Sequence, residues 1–281
     1  MIIIIDKVIK MKGYKNLYIN GCSFTAGNRV DEEKTWPKLL QKKLNIEMID
    51  DSKNGNSMDT IITTTINQSL KQQSEVLYVI GLTWPGRVGI NIGDIMFNWS
   101  MNDLRSDTNR YTYMTKLSAY KRVSILNDHE DHPVNIKPDY AEKVYGDAVY
   151  EIIKSFNKYI KNRVTYDEKF DTNINLLYFQ QILEIQNFFK ANNYDYLLVN
   201  FNNIIYAECY ENDILKPYID SFDEDRILNL CSIKSNSQYG LDSYRGINFK
   251  DEDYEIDLLS AHPSERGCIQ ISEKVYDFIN R

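Results

Sequence analysis

Short apolar runs alternate with amphipathic segments at both ends of the chain. Four runs have the length and the β-branched and aromatic content of strands, at 16–20, 46–51, 75–83 and 194–201. Four segments carry apolar residues at helical spacing, at 35–44, 57–71, 173–193 and 264–280. The run EVLYVIGLT at 75–83 is almost continuously apolar, as in a parallel strand that helices cover on both faces. The alternating order therefore predicts a doubly wound α/β sheet.

The predicted helices have recognisable starts and core faces. Pro37 lies in the first turn of the first helix, and Ser57 and Ser264 are expected to cap the second and the last. The second helix carries Ile62, Ile66 and Leu70 at helical spacing. The apolar residues assigned to the core are Tyr178, Ile182, Ile185 and Phe189 in the third helix and Ile269, Val275 and Ile279 in the last.

The alternation is interrupted between about residues 88 and 170. This Tyr-, Asp- and Asn-rich region, with helical pieces such as 140–160, is interpreted as an insertion in a single domain spanning 1–281. Residues 202–255 are polar and irregular. The opening MIIIID lacks the basic leader and cleavage site of a signal peptide, and it predicts a strand, with the edge of the sheet as one position for it.

Composition excludes several classes of partner. The net charge of -7 and the pI of about 5.2 argue against binding to nucleic acid or to an anionic membrane, because phosphates require a concentrated basic surface. The cysteines are far apart and form no C-x-x-C pair, which favours reduced thiols and no zinc site. No apolar stretch has the length of a membrane span, so we expect a cytoplasmic chain. We also expect no cofactor.

Ser23 is the first candidate for chemistry. It follows the strand at 16–20 after Gly21, which permits a tight exit, and Gly27 gives the loop a second flexible point. The carboxyl ends of strands are where open α/β sheets bind ligands. A serine hydroxyl is a weak nucleophile unless a base removes its proton, so a histidine has to reach it in the fold.

The chain contains three histidines. His262 stands just before the last helix and is the preferred base, and a loop histidine that precedes a capped helix is the less favoured alternative. His129 and His132 lie among acidic residues and superficially resemble metal ligands. A solvated charged loop explains that segment better, so no metal is predicted.

Two further loops follow strands and supply candidate hydrogen-bond donors. Gly55 lies between the second strand and the second helix, and its backbone N–H is a candidate oxyanion donor, although a plain turn explains it equally well. Thr83 offers a hydroxyl donor at the end of the third strand. Trp84 and Arg87 are candidate substrate contacts, with the core and the solvent as their alternative locations.

The order of these blocks resembles that of the SGNH hydrolases, also called the GDSL family. The blocks are Gly21-Cys22-Ser23-Phe24-Thr25 with Gly27, then Gly55, then Gly81-Leu82-Thr83, and finally His262-Pro263-Ser264 with Gly267. The resemblance implies a flavodoxin-like three-layer α/β/α fold with a central, mostly parallel sheet and a helical insertion. It also implies Ser23 as nucleophile, His262 as base, and the backbones of Ser23 and Gly55 as oxyanion donors.

Three positions depart from the family pattern. Cys22 replaces the usual aspartate, and a reactive thiol there is a weaker alternative to Ser23. Thr83 replaces the oxyanion asparagine, and loss of such a donor lowers rates by on the order of a hundredfold. Leu259 replaces the aspartate expected three residues before the histidine, which leaves Asp257, a backbone carbonyl, Ser260 or a remote carboxylate to orient the imidazole.

The leading hypothesis is therefore a serine esterase that removes small acyl groups, with acetyl esters of carbohydrates as the preferred substrate. The polar, Tyr-rich insertion is the basis for expecting a glycan or another small ester as partner. The missing asparagine and the displaced acid support an alternative, a catalytically weakened SGNH-like module that binds a glycan or a protein. The oligomeric state is left open.

Overall fold

The computed structural model describes the greater part of the two ends of the chain and a smaller part of its middle. The described residues are 13–27, 30–71, 75–83, 85, 87–92, 95–100, 112–116, 155, 170–201, 212–230 and 262–281. The strands within them are β1 (Asn16–Asn20), β2 (Glu47–Asp50), β3 (Val76–Leu82), β4 (Arg87–Ile92), β5 (Ile95–Ser100), β6 (Thr112–Lys116), β7 (Asp195–Asn200) and β8 (Ile227–Asn229). The helices are α1 (Ser23–Ala26), α2 (Trp36–Leu44), α3 (Met58–Ser69), α4 (Phe170–Ala191), α5 (Lys216–Ile219) and α6 (Glu265–Ile279).

Five strands form one sheet in the order β2-β1-β3-β7-β8, and each neighbouring pair is parallel. In the centre, Tyr18 lies opposite Tyr78, and Val79 lies opposite Leu197. Parallel neighbours need crossover connections, which the helices supply. The doubly wound parallel sheet expected from the alternating pattern is thus confirmed.

Helices α2 and α6 cover one face of this sheet and contact each other. Alternate residues of the strands point to this face because the side-chain period of a strand is two. Its buried sheet residues are Leu17, Ile19, Leu77, Val79, Leu197 and Val199, and its buried helix residues are Trp36, Leu40, Leu44, Cys268, Ile271, Val275 and Ile279. The capping role predicted for Ser264 at the start of α6 is confirmed, since its Oγ accepts a hydrogen bond from Gly267 N.

Helices α3 and α4 cover the opposite face. Its buried sheet residues are Tyr18, Tyr78, Ile80, Tyr196 and Leu198, and its buried helix residues are Met58, Ile61, Ile62, Tyr178, Phe179, Ile182, Ile185 and Phe189. The whole of β3 is buried, as its continuous apolar pattern predicts. The capping role of Ser57 is confirmed, since its Oγ accepts a hydrogen bond from Thr60 N. The three-layer α/β/α arrangement is therefore confirmed.

A second sheet lies in the region interpreted as an insertion. Strands β4, β5 and β6 pair antiparallel, and β4 packs beside α3. The sequence interpretation anticipated helical pieces and gave no strands here. The helical piece expected at 140–160 lies, apart from residue 155, outside the described residues, as does the strand expected at 1–6. The division into one domain with an insertion stays a prediction.

Two apolar residues of the predicted helices are exposed. The core assignment of Ile269 was wrong, and Leu70 lies just beyond the helix on which its spacing placed it. Leu70 is 73% exposed because α3 ends at Ser69 and Leu70 lies in the turn that follows. Ile269 is 46% exposed because it lies about 100° around the helix from Cys268, which faces the sheet. Strand β8 was also missed, since three residues are too few to establish a strand pattern.

Among the helices of the described ranges, none has an apolar stretch of the length that a bilayer-spanning helix requires.

Candidate active site

The carboxyl ends of β1 and β3 lie side by side where the strand order reverses. From β1 the chain crosses to β2 on one side and then returns to β3 on the other, and Asn20 is paired with Ile80 at the shared edge. In open sheets of this order, ligands bind in the crevice outside these two strand ends. The residues that follow β1 and β3 are therefore the first candidates for a site.

Asn20 fixes the direction in which the chain leaves β1. Its side chain is fully buried, Oδ1 accepts a hydrogen bond from Gly21 N at 2.8 Å, and Nδ2 donates to Ile61 O at 3.1 Å. Gly21 allows α1 to lie against the strand ends, because a Cβ at this position would overlap the side chain of Thr25. Ser23 is consequently held in the first turn of α1, directly outside β1.

The hydroxyl of Ser23 and the imidazole of His262 form a hydrogen bond in this crevice. Ser23 Oγ lies 2.7 Å from His262 Nε2, although 239 positions separate the two residues in sequence. Ser23 is 5% exposed, and Nδ1 of His262 is buried. A serine within hydrogen-bond reach of a histidine is the arrangement that activates a hydroxyl as a nucleophile. For this step the ring hydrogen has to be on Nδ1, so that Nε2 accepts the serine proton.

Phe24 supports the imidazole from one side. Its ring stacks on that of His262, with centroids 4.8 Å apart and an interplanar angle of 24°. Phe24 is in turn held by the core, because Trp36 Nε1 donates to its carbonyl oxygen at 3.1 Å and Phe201 packs against its ring. The histidine is thus oriented by an aromatic plane that belongs to the same helix as Ser23.

The loop that contains Gly55 is bound to the loop that contains Ser23. Lys53 N and Asn56 Nδ2 both donate to Gly21 O, at 3.1 and 3.0 Å. Gly55 is buried and has a φ of 81°, a left-handed conformation that favours glycine. Donation of a hydrogen bond from the Gly55 N–H to an oxyanion remains a prediction. It requires the Gly55 loop to lie beside the Ser23 loop, and these two loops are neighbours.

Thr83 is buried at the end of β3, and its hydroxyl is already engaged. Thr83 Oγ1 donates to Asn56 O at 3.0 Å and accepts from Arg87 Nη1 at 3.1 Å. A hydroxyl has one hydrogen to donate. While the bond to Asn56 is made, Thr83 does not donate to an oxyanion, in contrast to the role expected for it. Arg87 is half-buried and lies at the start of β4, beside the strand ends.

Several candidates from the sequence lie outside the described residues. They are Trp84, expected to contact substrate, Asp257 and Ser260, expected to orient the imidazole, and the pair His129 and His132. Their roles stay predictions. Cys22 is described, and its side chain is 1% exposed within the core cluster that includes Phe24. Ser23 rather than Cys22 is the residue hydrogen-bonded to His262.

Sequence reasoning missed Asn56 and Phe24 as parts of the site. Asn56 is 1% exposed and links the Gly21 carbonyl to the Thr83 hydroxyl. Its place in the turn Asn54-Gly55-Asn56 is a signal that was available, because asparagine side chains commonly hydrogen-bond to nearby backbone in turns. For Phe24, no local pattern indicates a contact with a residue near the opposite end of the chain.

No protein-family model matches the chain, and a search of curated proteins also finds no match. Solved structures that are similar include TesA, with 11% identity and a TM-score of 0.45 over 94% of this chain and 97% of that one. A second is the esterase EstA from Pseudoalteromonas sp., with 16% identity and a TM-score of 0.41 over 94% and 96% of the two chains. A third is a member of the lipolytic protein G-D-S-L family from Veillonella parvula DSM 2008, with 9% identity and a TM-score of 0.41 over 93% and 96%. A member of the family that the sequence blocks resemble is therefore among the solved structures to which this chain is similar.

Proposed function

We propose that this chain is a serine ester hydrolase of the SGNH type, with Ser23 as nucleophile and His262 as general base. The observation that carries the proposal is the 2.7 Å hydrogen bond between Ser23 Oγ and His262 Nε2 at the carboxyl edge of the parallel sheet. At these low identities the solved structures contribute nothing further, so the proposal depends on the side chains themselves.

The reaction follows from the roles of the two residues. Ser23 Oγ attacks the ester carbonyl carbon while His262 Nε2 accepts the hydroxyl proton, and the electron pair of the carbonyl bond moves onto its oxygen. The tetrahedral intermediate then expels the alcohol, which receives that proton from His262. Water then attacks the acyl-serine while His262 Nε2 accepts its proton, and the collapse of this second tetrahedral intermediate releases the acid as His262 returns the proton to Ser23 Oγ.

Backbone N–H groups are the proposed donors to the oxyanion. Ser23 occupies the first turn of α1, where N–H groups have no acceptor within the helix. Gly55 belongs to the loop that hydrogen-bonds to Gly21, two residues before Ser23. Donors of this kind are fixed before the reaction starts, and they stabilise the charge that develops on the carbonyl oxygen.

Small acyl esters are the proposed substrates, with acetyl esters of carbohydrates preferred. The preference rests on the polar, Tyr-rich composition of residues 88–170, since tyrosine combines a flat apolar surface with a hydroxyl that sugars can bind. Hydrolysis rates for acetylated sugars, measured beside those for 4-nitrophenyl esters of increasing acyl length, test this preference.

The test of catalysis is covalent labelling by a fluorophosphonate together with hydrolysis of 4-nitrophenyl acetate. Wild type should be labelled at Ser23, and Ser23→Ala should lose both labelling and hydrolysis. His262→Ala should lower the rate by about a thousandfold or more, because the hydroxyl then lacks its base. Cys22→Ala should keep most of the activity, which separates the serine from the neighbouring thiol.

A folded wild type that neither reacts with the fluorophosphonate nor hydrolyses the ester would contradict the proposal. That outcome would favour the alternative of a binding module that keeps the crevice and recognises a glycan or a protein. Hydrolysis that survives in Ser23→Ala but is abolished by a chelator would instead indicate a metal hydrolase.

A further inference from the structure

The hydroxyl of Thr83 is committed to Asn56, which leaves the crevice without a side-chain donor at the position where the resembled family has one. Each donor missing from an oxyanion site lowers rates by about a hundredfold to a thousandfold. A further donor close to position 83 would therefore accelerate a serine hydrolase built on this arrangement.

Among the described residues, Arg87 places a side-chain donor next to Thr83. Its Nη1 lies 3.1 Å from Thr83 Oγ1, so the guanidinium is one hydrogen bond away from the residue that replaces the missing donor. A guanidinium carries five N–H groups, and the bond to Thr83 uses one of them. The other N–H groups form no hydrogen bond or ion pair with the described residues, so within that part of the chain they are available to an oxygen that carries negative charge.

The guanidinium of Arg87 is held in place by a chain of hydrogen bonds that reaches the Ser23 loop. Arg87 donates to the Thr83 hydroxyl, Thr83 donates to Asn56 O, and Asn56 Nδ2 donates to Gly21 O. Each link measures between 3.0 and 3.1 Å. A donor fixed in this way needs little reorganisation when charge develops, which is the condition for electrostatic catalysis.

Arg87 also lacks an acidic partner in the described part of the chain. It is half-buried, yet none of the ion pairs among the described residues includes it. The carboxylate of Asp59 is engaged elsewhere, since it accepts from Gly89 N and from Gln181 Nε2, both at 2.8 Å. Within the described ranges this half-buried cation has no counter-ion, and such a charge is unfavourable for stability unless a ligand or another group pairs with it.

We propose that Arg87 donates a hydrogen bond to the oxyanion formed when Ser23 attacks an ester, in place of the side chain missing at position 83. This inference rests on the proposed function. In the tetrahedral intermediate, the former carbonyl oxygen carries the negative charge and Arg87 stays protonated throughout. No proton passes between them, and the guanidinium acts only by charge and hydrogen bonding.

The experiment compares wild type with Arg87→Gln and Arg87→Lys on two esters, neutral 4-nitrophenyl acetate and anionic mono-4-nitrophenyl succinate. Arg87→Gln should lower kcat for both esters by about a hundredfold while KM changes by less than about threefold, because the interaction exists only in the transition state. Arg87→Lys should recover part of kcat, since it restores the charge without the planar fork. The rate of fluorophosphonate labelling should fall in parallel.

Arg266→Gln is the matched control, because Arg266 is an exposed arginine in the first turn of α6. It should leave both esters unaffected, and thermal unfolding of each variant checks that the fold is kept. A loss below about threefold in Arg87→Gln would overturn the inference while the esterase proposal stands. A loss confined to KM for the anionic ester would also overturn it, since Arg87 would then bind a substrate carboxylate. A wild type inert to both esters and to the fluorophosphonate would remove the esterase proposal and this inference with it.

Discussion

At the level of single residues, the site depends on how the imidazole of His262 is oriented. Among the described residues, the hydrogen bond to Ser23 Oγ and the stacked ring of Phe24 hold it. Because Phe24 immediately follows Ser23, one short helix supplies both the nucleophile and the plane that supports its base. A small shift of α1 would therefore move the nucleophile and the aromatic plane together.

Replacing Phe24 by leucine should affect catalysis more than substrate binding. Aromatic stacking contributes about 0.5 to 1.5 kcal/mol, which corresponds to a decrease of up to about tenfold in kcat if the imidazole loses its orientation. KM for 4-nitrophenyl acetate should stay within about twofold of wild type. Steady-state kinetics on Phe24→Leu measure both quantities.

Phe179→Leu provides the control for Phe24→Leu. Phe179 is fully buried on the opposite face of the sheet, packed against Phe222. Both variants lose core volume and should be less stable, but only the change at Phe24 should lower kcat. Equal kcat values for the two variants would show that the stacked ring does not position the base.

At the level of elements, the close approach of α1 to the sheet determines where Ser23 lies. Thr25 of α1 is fully buried between the exits of β1 and β3, where a Cβ at either Gly21 or Gly81 would overlap its hydroxyl. Thr25 Oγ1 has no hydrogen-bond partner among the described residues. The contact is therefore steric, and glycine at these two positions allows the helix to sit against the sheet.

Gly81→Ala should destabilise the protein by about 1 to 3 kcal/mol, the usual effect of overpacking. Thr25→Ala should restore part of that loss in the double variant, because it removes the overlapping hydroxyl and leaves contacts of 3.3 Å to Cβ of residue 25 and 3.2 Å to Phe201 Cε2. Urea unfolding of the two single variants and the double variant gives the coupling energy. Additive losses would mean that Gly81 is required for some other reason.

At the level of the whole molecule, Asp59 joins the antiparallel sheet to the three-layer core. Its carboxylate accepts from Gly89 N in β4 and from Gln181 Nε2 in α4, while Asp59 itself lies in the first turn of α3. Burial raises the pKa of this carboxyl above its ordinary 3.8, and the hydrogen bonds from Gly89 and Gln181 oppose the shift in part. Helices α3 and α4 and strand β4 thus meet at the Asp59 carboxyl, and burial disfavours the ionised form of this group.

The raised pKa of Asp59 has a defined sign in a pH titration of stability. The folded state binds the proton of the Asp59 carboxyl more tightly than the unfolded state does, which adds to the free energy of unfolding. This contribution is fully present below pH 3.8 and is lost as pH rises through the higher folded-state pKa. Wild type should therefore lose stability relative to Asp59→Asn over that interval. The pKa of Asp51 is also raised by burial, so the difference curve rather than the wild-type curve is the informative measurement. A difference curve independent of pH would contradict the prediction.

Much of the fold was predictable because its signals are local. The strand at 75–83 and the stripe Tyr178, Ile182, Ile185 and Phe189 are confirmed, since a residue's neighbours two to four positions away decide which face it occupies. The caps at Ser57 and Ser264 are confirmed for the same reason. Such patterns did not identify Ile269 as exposed, because an apolar residue beside the buried stripe of a helix is as hydrophobic as one within it.

The site was predictable only in part. Ser23 and His262 were identified from their positions beside predicted elements and from the family resemblance, and the structure brings their side chains together. The engagement of Thr83 and the support from Phe24 were not predictable. Both depend on which neighbour a side chain meets across the fold, as Thr83 meets Asn56 27 positions away.

By itself, the amino-acid sequence determined the layers of this protein, because periodicity, capping and turn residues act over a few positions. The tertiary structure alone decided which polar groups meet at the edge of the sheet. The distance between Ser23 and His262, the direction of the Thr83 hydroxyl and the position of Arg87 depend on how helices from both ends of the chain pack on one sheet. Such packing is set by many distant contacts acting together, and no short segment of the chain contains them.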